Sequence, residues 1–464
     1  MFCLSGQKGR DAMRTESRFG GGASALDYRH PLVFRISSFL GSLRGMPDPA
    51  AKRRVRWTPF ASGLAAVLMA LDRGCPLNVR FEDAHLCMAT DFVRRRRVGR
   101  TYNGLVKALE RQAGTVLPVL KADLQRQAQT RLSRLSRESK WLLLAVDGSK
   151  GDLPRTKDQE KVFGIADNGV YPQALMTTIV EVRTGLLWDW RIDRGCGSEK
   201  DHLVQMVSDL PTNGLLLGDG NFVGFPIWSQ LHDNGKQFLI RVGGNVHLIT
   251  RLWPNAETRH EGDIVYVWPK NRQKKSAPLM LRLIKVGRGR KAVYLLTNVL
   301  DGNRLSRYDA GEIYRRRWGV ELFFRTLKRT LGYAKLQSRA ARRARIELEW
   351  ALITMTITTM MGIDSVVQRR IPPERLSHAH LIHTLRNFML RGAGKTPSKG
   401  RTALARALAS GLKDNYHRRK PKRSRHRPKT KNTPKPLVLK PPQMRRATTQ
   451  EKELALQYRK QTAA

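Results

Sequence analysis

The chain has 464 residues, of which 41% are hydrophobic, and 86 lysines and arginines against 38 aspartates and glutamates give a formal net charge of +48. This length and hydrophobic content exclude a small disulfide-stapled domain and a wholly disordered chain, and they allow two or more domains. Positive charge on this scale indicates a polyanionic partner. Nucleic acid fits better than a membrane surface, and a merely basic or ribosome-like protein is the alternative.

The cysteines and the apolar runs indicate the cellular setting. The four cysteines lack paired spacing, which argues against a disulfide framework or a zinc finger and fits a reducing cytoplasm. No apolar segment of a secretory signal is present near Met1. The most apolar run, which begins at Trp350, is typical of a buried helix rather than a membrane span. We therefore expect a cytoplasmic protein without membrane contact.

The first two regions differ in pattern. Residues 1–56 are rich in glycine and arginine and lack periodicity, so we expect a flexible basic arm. Residues 57–138 have apolar side chains at helical spacing, with Thr101 as the expected N-cap of one helix. A basic run between two of these helices suits DNA binding by a helix-turn-helix, and a plain helical bundle is the alternative. The basic run comprises Arg94, Arg95, Arg96 and Arg97.

Residues 139–243 change to a pattern of buried strands alternating with a hairpin and helices. Such an order predicts an α/β layer fold whose central strands are covered on both faces. Residues 244–300 contain four strand patterns and no helical signal, which predicts a β-rich insertion. Residues 301–412 are helical again and are expected to complete the core.

The last region, residues 413–464, contains a strongly basic stretch. Residues 417–436 carry ten lysines and arginines and almost no apolar side chains. Such a composition does not bury a core, so we expect a disordered C-terminal tail that binds the phosphate backbone of a nucleic acid.

Three carboxylates are candidates for chemistry. Asp147 and Asp219 each follow a continuous apolar run and precede a glycine. Strand ends in an open α/β sheet are where sites form, and an ordinary Asp-Gly turn is the alternative. Glu321 is the single acid in the cation-rich segment 314–332, and a surface ion pair with Arg317 is its bland interpretation. Projected as one helix at about 100° per residue, four polar residues of this segment share a face: Tyr314, Arg317, Glu321 and Lys328.

Other polar groups compete with these acids. Asp189 and Asp193 alternate along one predicted strand, and we rank them below the three carboxylates because they lie in mid-strand and at a hairpin exit. Three histidines close in sequence lack a nearby cysteine or carboxylate to complete a zinc set. These histidines are His378, His380 and His383.

The polar face of segment 314–332 resembles the Y-(2)-R-(3)-E-(6)-K signature of DDE transposases of insertion-sequence family four, in residue type and spacing. Asp147 is similar to the first acid of that family and Asp219 to the second. The family commonly has Asp-Arg-Gly-aromatic at the second acid, whereas Asp219 is followed by Gly-Asn-Phe. The resemblance covers about residues 140–345.

The resemblance implies an RNase H-like catalytic core in which the insertion separates the second aspartate from the glutamate. It implies metal-dependent DNA cleavage at insertion-sequence ends and strand transfer into target DNA, by a bacterial, nucleoid-associated enzyme. The implied partners are double-stranded DNA, as terminal inverted repeats and target, and a second copy of the chain in a synaptic complex. The implied cofactor is two Mg²⁺ (or Mn²⁺) ions held by Asp147, Asp219 and Glu321.

The same resemblance assigns DNA contacts. It places Tyr314, Arg317 and Lys328 on phosphates near the cleavage point, and it offers Trp253 or Trp268 as a platform for a flipped base. Three rival interpretations remain. They are an inactive or domesticated DNA-binding derivative, a nuclease of the same core without strand transfer, and a structural basic protein that packs DNA.

Overall fold

A computed structural model describes ten stretches of the chain, namely residues 30–49, 55–72, 75–89, 98–135, 140–165, 169–253, 263–289, 292–391, 397–411 and 440–463. Within them, one mixed sheet is flanked by helices, and a large hydrophobic core joins the two. The fold is therefore of the α/β class, as the alternation of patterns predicts.

The sheet has ten strands in the described residues. They are β1 Leu142–Asp152, β2 Gln173–Glu181, β3 Leu186–Arg194, β4 Gly214–Gly218, β5 Gln237–Val242, β6 His247–Thr250, β7 Asp263–Val267, β8 Leu279–Val286, β9 Val293–Thr297 and β10 Gln443–Arg446. Their order across the sheet is β10-β6-β7-β8-β9-β5-β4-β1-β2-β3. Strands β1, β4 and β5 are parallel, β2 and β3 extend them as an antiparallel meander, and β10 pairs parallel to β6.

The described residues also form thirteen α-helices. They are α1 Pro31–Ser37, α2 Pro59–Leu71, α3 Leu77–Ala89, α4 Tyr102–Leu135, α5 Lys157–Phe163, α6 Glu199–Met206, α7 Phe225–Asp233, α8 Arg307–Arg316, α9 Gly319–Arg325, α10 Ala341–Gln368, α11 His378–Arg391, α12 Pro397–Gly411 and α13 Thr449–Ala463. Helix α10 is long and apolar enough to cross a membrane by length and composition alone, but it is almost wholly buried inside the protein. It is the central helix of the core.

The four strands predicted within residues 244–300 are present as β6 to β9. Strand β9 pairs antiparallel with β5, so the insertion continues the sheet of the core instead of forming a separate layer. The main chain leaves the core at the end of β5 and returns through β9, and this return leads directly into α8.

The N-terminal regions are more integrated than their sequence suggests. Leu32, Val33 and Ile36 of α1 are fully buried, so the expectation of a flexible arm over residues 1–56 is wrong for the described part of that range. Residues 57–138 are helical as predicted, and α2 and α4 pack on α10 within the common core. The amide of Gly104 donates to Thr101 Oγ1 over 3.2 Å, which is the expected N-cap.

The C-terminal region departs from the expectation of disorder. Residues 440–463 form β10 and α13, and these elements pack on the insertion. Ala455 is fully buried beside Trp268, and the carboxylate of Glu451 accepts from the Arg445 guanidinium over 2.6 and 2.8 Å. The prediction of a disordered tail is therefore wrong for this segment, because a short amphipathic helix with its own partner follows the basic run. The basic run itself lies outside the described residues.

Candidate active site

The register of the parallel strands brings two acids together. Strand β1 pairs with β4 so that Ala145 lies opposite Leu217, and two residues further on both strands come Asp147 and Asp219. Neighbouring strands lie about 4.8 Å apart. The two aspartates are therefore at the same level, at the edge of the core where β4 ends.

Asp147 does not end its strand, contrary to the sequence interpretation. Strand β1 continues to Asp152 because β2 pairs with it along this whole stretch, with Thr178 opposite Asp147. What ends beside Asp147 is the pairing with β4. The open position next to the strand, rather than a turn, exposes the carboxylate to the site.

Glu321 lies just after an interruption in the predicted helix. The predicted continuous helix breaks at Arg317 and Trp318, and a new helix, α9, starts at Gly319 and packs on β1 and β2. Gly319 is required there, because a Cβ at this position would lie 2.9 Å from the carbonyl oxygen of Val182. Glu321 is in the first turn of α9 and is partly exposed.

Arg317 contacts two of the three acids and lies near the third. Its Nη2 donates to Glu321 Oε1 over 3.0 Å, and its Nη1 lies 3.9 Å from Asp147 Oδ2. Burial alone would lower the pKa of Arg317. Tyr314, Glu321, Asp147 and Asp219 instead raise this pKa, because each favours the charged guanidinium. The arginine is thus the cation at the centre of a group of acids.

Asp147 carries the clearest electrostatic signature of the site. Its pKa is raised from 3.8 to about 6, mainly by burial. The negative charges of Asp219 and Glu199 add to this rise, and the Gly148 amide and Arg317 oppose it. The Gly148 N–H donates to Asp147 Oδ1 over 2.9 Å. A carboxyl group whose pKa is raised by burial and by neighbouring acids is a recognised mark of functional sites.

Tyr314 lies behind this group. Its hydroxyl donates to the carbonyl oxygen of Gly218 over 3.3 Å, one residue before Asp219. Burial raises the pKa of Tyr314 to about 12, so the phenol stays protonated and neutral. In the apo arrangement its hydroxyl therefore steadies the end of β4.

Lys328 lies apart from the other signature residues. A turn of π-helix spans Thr326–Thr330, with the Leu331 amide donating to the Thr326 carbonyl over 3.0 Å. This turn changes the helical phase after Glu321, so the single polar face projected from the sequence is wrong at this residue. Burial lowers the pKa of Lys328 while Asp152, at the far end of β1, raises it. Widened turns of this kind are frequent at functional sites.

Three further side chains approach the acids, and the sequence interpretation missed them. Glu199 begins α6 and Asn221 follows Asp219, and Asn221 Nδ2 donates to Glu199 Oε2 over 2.9 Å. Arg241 follows Ile240, which pairs with Gly218, so Arg241 falls opposite Asp219 and close to Tyr314. The strand pattern contains a signal for Arg241, because consecutive strands of an α/β fold usually lie side by side. No periodic signal marks Glu199 or Asn221.

The competing acids belong elsewhere. Asp189 is 2% exposed, and Lys121 Nζ and Arg191 Nη1 approach its Oδ1 at 2.6 and 2.9 Å. Asp193 lies 3.6 Å from the imidazole of His202. Neither joins the group around Arg317, which supports their lower rank.

The remaining sequence candidates are distributed as follows. His378 Nε2 donates to the Thr184 carbonyl over 2.8 Å, whereas His380 and His383 are exposed, and no zinc set forms among the described residues. Trp268 is 3% exposed and packs edge-on against Tyr458 of α13, so its ring is not available as a platform for a base. Trp253 is half-buried against Tyr266. The basic run Arg94, Arg95, Arg96 and Arg97 lies outside the described residues.

The acids match a divalent cation in chemistry but are held apart by Arg317. Carboxylate oxygens are the ligands that Mg²⁺ prefers, and the guanidinium shows that the group accepts a cation. Among the described residues, no three acids, histidines or cysteines lie close enough to hold one ion. One ion held by all three acids therefore requires their side chains to take other positions than the ones described.

Comparison with known proteins agrees with this geometry. Residues 139–357 match the family model described as a transposase DDE domain, which spans all three acids and the signature helix. Divalent metal ions are the general cofactors of this family.

One relative and one solved structure are similar over larger stretches. The chain is 25% identical over 230 residues to a transposase of Escherichia coli (strain K12), InsG of insertion sequence element IS4, and the match covers 46% of this chain and 50% of that relative. The resemblance to insertion-sequence family four is thereby confirmed. A structure of the piggyBac transposase synaptic complex with hairpin DNA has 11% identity and a TM-score of 0.40, over 84% of this chain and 86% of that one.

Proposed function

Residues 139–357 match the transposase DDE domain family, and on that premise we propose that this chain is a DDE transposase. It cleaves DNA at the ends of an insertion sequence and joins the freed ends to target DNA. The observation that carries the proposal is the strand register that sets Asp147 beside Asp219, with Glu321 joined to Asp147 through Arg317.

The core on which these acids stand is, in this proposal, RNase H-like. Its support is the order β3-β2-β1-β4-β5, in which an antiparallel meander adjoins two parallel strands. The insertion β6 to β9 lies between Asp219 and Glu321, as the family resemblance implies.

Asp147, Asp219 and Glu321 would hold the divalent cofactor, proposed to be two Mg²⁺ or Mn²⁺ ions, which when bound supplies an activated oxygen nucleophile and neutralises charge on the leaving oxygen. The remaining work belongs to the chain itself. It positions the scissile phosphate and balances the charge that develops on it.

Arg317 and Lys328 are the proposed phosphate contacts. Arg317 is partly buried, so its charge acts at low screening, and its planar guanidinium suits bidentate contact with a phosphate. Lys328 lies near Asp152, at the far end of β1. Because the two cations are separated, we infer that they bind successive phosphates of one strand rather than a single phosphate.

DNA binding away from the chemistry is proposed to rest on the large excess of positive charge. The proposed partners are the terminal inverted repeats and the target duplex. We also propose that a homodimer holds both ends of the element, since joining two ends to one target requires their synapsis. The basic run at residues 94–97 and the basic stretch at residues 417–436 are proposed contributors to duplex binding.

The direct test incubates the full chain with a duplex that ends in the inverted repeats flanking its own coding sequence, together with Mg²⁺ and a target plasmid. A transposase gives nicked ends and then molecules in which the element end is covalently joined to the plasmid. Ends that are cut but never joined identify a nuclease of the same core. Binding of DNA without any cleavage contradicts the proposal and identifies an inactive derivative or a DNA-packing protein.

A further inference from the structure

The first turn of α6 forms hydrogen bonds with the segment that follows Asp219. Glu199 Oε2 accepts from Asn221 Nδ2 over 2.9 Å, and Lys200 Nζ donates to the Val223 carbonyl over 2.8 Å. Asn221 in turn donates its backbone N–H to Asp219 Oδ1 over 2.8 Å. The orientation of the Asp219 carboxylate is thus linked, through one asparagine, to the carboxylate of Glu199.

Glu199 also lies against the strand that carries Asp147. A Cβ at Gly148 would lie 2.1 Å from Glu199 Oε1, so only glycine leaves room for the glutamate there. The acid therefore stands between the residue after Asp147 and the residue two after Asp219. It contacts both chain segments that present the candidate metal-binding aspartates.

The residues after Asp219 make this arrangement specific to the chain. Where related transposases commonly have Asp-Arg-Gly, this chain has Asp219-Gly220-Asn221. Gly220 adds no side chain toward the site. Asn221 supplies a neutral amide donor, which pairs with Glu199 without cancelling its charge.

We propose that Glu199, acting through Asn221, is a positioning residue for Asp219 and that its negative charge tightens binding of the divalent cation at the site. This inference rests on the proposed function. The physical basis is that groups behind a metal ligand fix its orientation and add to the local field, and their loss typically weakens metal binding about ten- to a hundredfold. Glu199 differs from an ordinary surface acid because it is held between the two strands.

The test measures Mn²⁺ binding to the metal-free full chain by titration calorimetry, without DNA. Glu199→Gln keeps a hydrogen-bond acceptor for Asn221 but removes the charge. Asn221→Ala removes the hydrogen bond and leaves the charge. Asp201→Asn is the matched control, because Asp201 is an exposed acid in the same first turn of α6 and its substitution removes one negative charge as well.

The expected result is that Glu199→Gln weakens Mn²⁺ binding about tenfold or more. Asn221→Ala should weaken it by a smaller factor, and Asp201→Asn should leave it within about twofold because exposed charge is screened. In nicking assays the Glu199→Gln rate should recover at saturating Mg²⁺, since the reacting groups are intact. Melting temperatures of the metal-free variants should match that of the parent chain.

Three outcomes overturn the proposal. One is Glu199→Gln binding Mn²⁺ as the parent does, and another is Asp201→Asn weakening binding equally, which would indicate a general charge effect. If Glu199→Gln fails to fold, Asn221→Ala is the deciding variant, because Asn221 is exposed. Unchanged Mn²⁺ binding by Asn221→Ala is then the third outcome that overturns the proposal. A parent chain that binds Mn²⁺ but never nicks DNA contradicts the proposed function and leaves this inference standing on the calorimetry.

Discussion

Two clusters of charged side chains lie on the same sheet and differ in charge balance. The first, here called the core cluster, consists of Asp189 on β3, Lys121 on α4, Arg191 on β3 and Glu349 on α10. Lys121 Nζ lies 2.6 Å from Asp189 Oδ1, and Glu349 Oε2 accepts from Trp190 Nε1 over 2.6 Å. Two acids thus face two cations.

The second, here called the site cluster, consists of Asp147, Asp219, Glu199, Glu321 and Arg317. Four acids approach one another, and within the described residues Arg317 is the cation that contacts two of them. Arg241 is close to Asp219 but does not equalise the count. Buried charges are stable when paired, so an excess of one sign marks a place that is built to receive the opposite sign. The core cluster is balanced in charge, whereas the site cluster has an excess of negative charge that a cation would neutralise.

The largest expected effect comes from neutralising acids of the site cluster. Asp147→Asn, Asp219→Asn or Glu321→Gln should reduce Mg²⁺-dependent nicking by roughly three orders of magnitude or more, because the proposed metal ligands act as one unit. Binding to the DNA end should survive in gel shifts, since the basic surfaces supply it. Double variants should be little worse than single ones. Near-normal nicking by Glu321→Gln would remove α9 from the active site.

The same chemical change in the core cluster should act on stability. Asp189→Asn leaves Lys121 and Arg191 without their buried partner, at a cost of about 3–5 kcal/mol in the free energy of unfolding. Urea denaturation of Asp189→Asn beside Asp147→Asn measures this difference in stability. The comparison fails if Asp189→Asn unfolds at the parent's urea midpoint, or if the folded variant loses its nicking activity.

The pH dependence of stability should separate the clusters further. The pKa of Asp147 in the folded chain is raised from 3.8 to about 6. Its contribution to the free energy of unfolding is therefore fully present below about pH 4 and is lost as the pH rises through 6. In EDTA, Asp147→Asn should therefore be more stable than the parent at pH 8, by up to about 3 kcal/mol. The advantage should vanish near pH 4. Denaturant midpoints at pH 4, 6 and 8 measure the stability difference between the variant and the parent. A difference that does not change with pH would contradict the raised pKa of Asp147.

Smaller effects are expected from the cations of the signature. Arg317→Ala and Lys328→Ala should each lower the nicking rate about ten- to a hundredfold, since a charge-assisted contact contributes roughly 1.5–3 kcal/mol. End binding should change much less. The exposed neighbours Arg316 and Arg329 provide matched alanine controls that should leave the rate near normal. Complete loss of end binding by a folded Arg317→Ala would make that arginine a binding anchor instead.

Much of the site was predictable because it follows from strand pattern. Two apolar runs that end in aspartate indicate neighbouring buried strands, and parallel pairing then sets Asp147 beside Asp219. The position of Lys328 was not predictable, because a projection at constant angle assumes an unbroken helix. The chain breaks that helix at Trp318 and widens it at Thr326–Thr330.

Contacts between elements that are distant in the chain were not predictable from the sequence, for another reason. The pairing of Glu199 with Asn221 depends on how α6 crosses the strand ends, and no periodicity encodes that crossing. The helices of residues 57–138 have apolar faces, and such faces look alike whether they cover a separate module or the common core. The segment 440–463 was hidden because its few apolar residues follow a long basic run.

The pairing of β10 with β6 has a consequence for the synthesis of the chain. Strand β6 is made about 190 residues before the strand that covers its edge. At about 5–20 residues per second, the ribosome leaves this edge uncovered for some 10–40 s. An open strand edge is a template for pairing with another chain. Messages that stop short of Gln443 should therefore yield proteins that aggregate, even though every candidate catalytic residue has already been made.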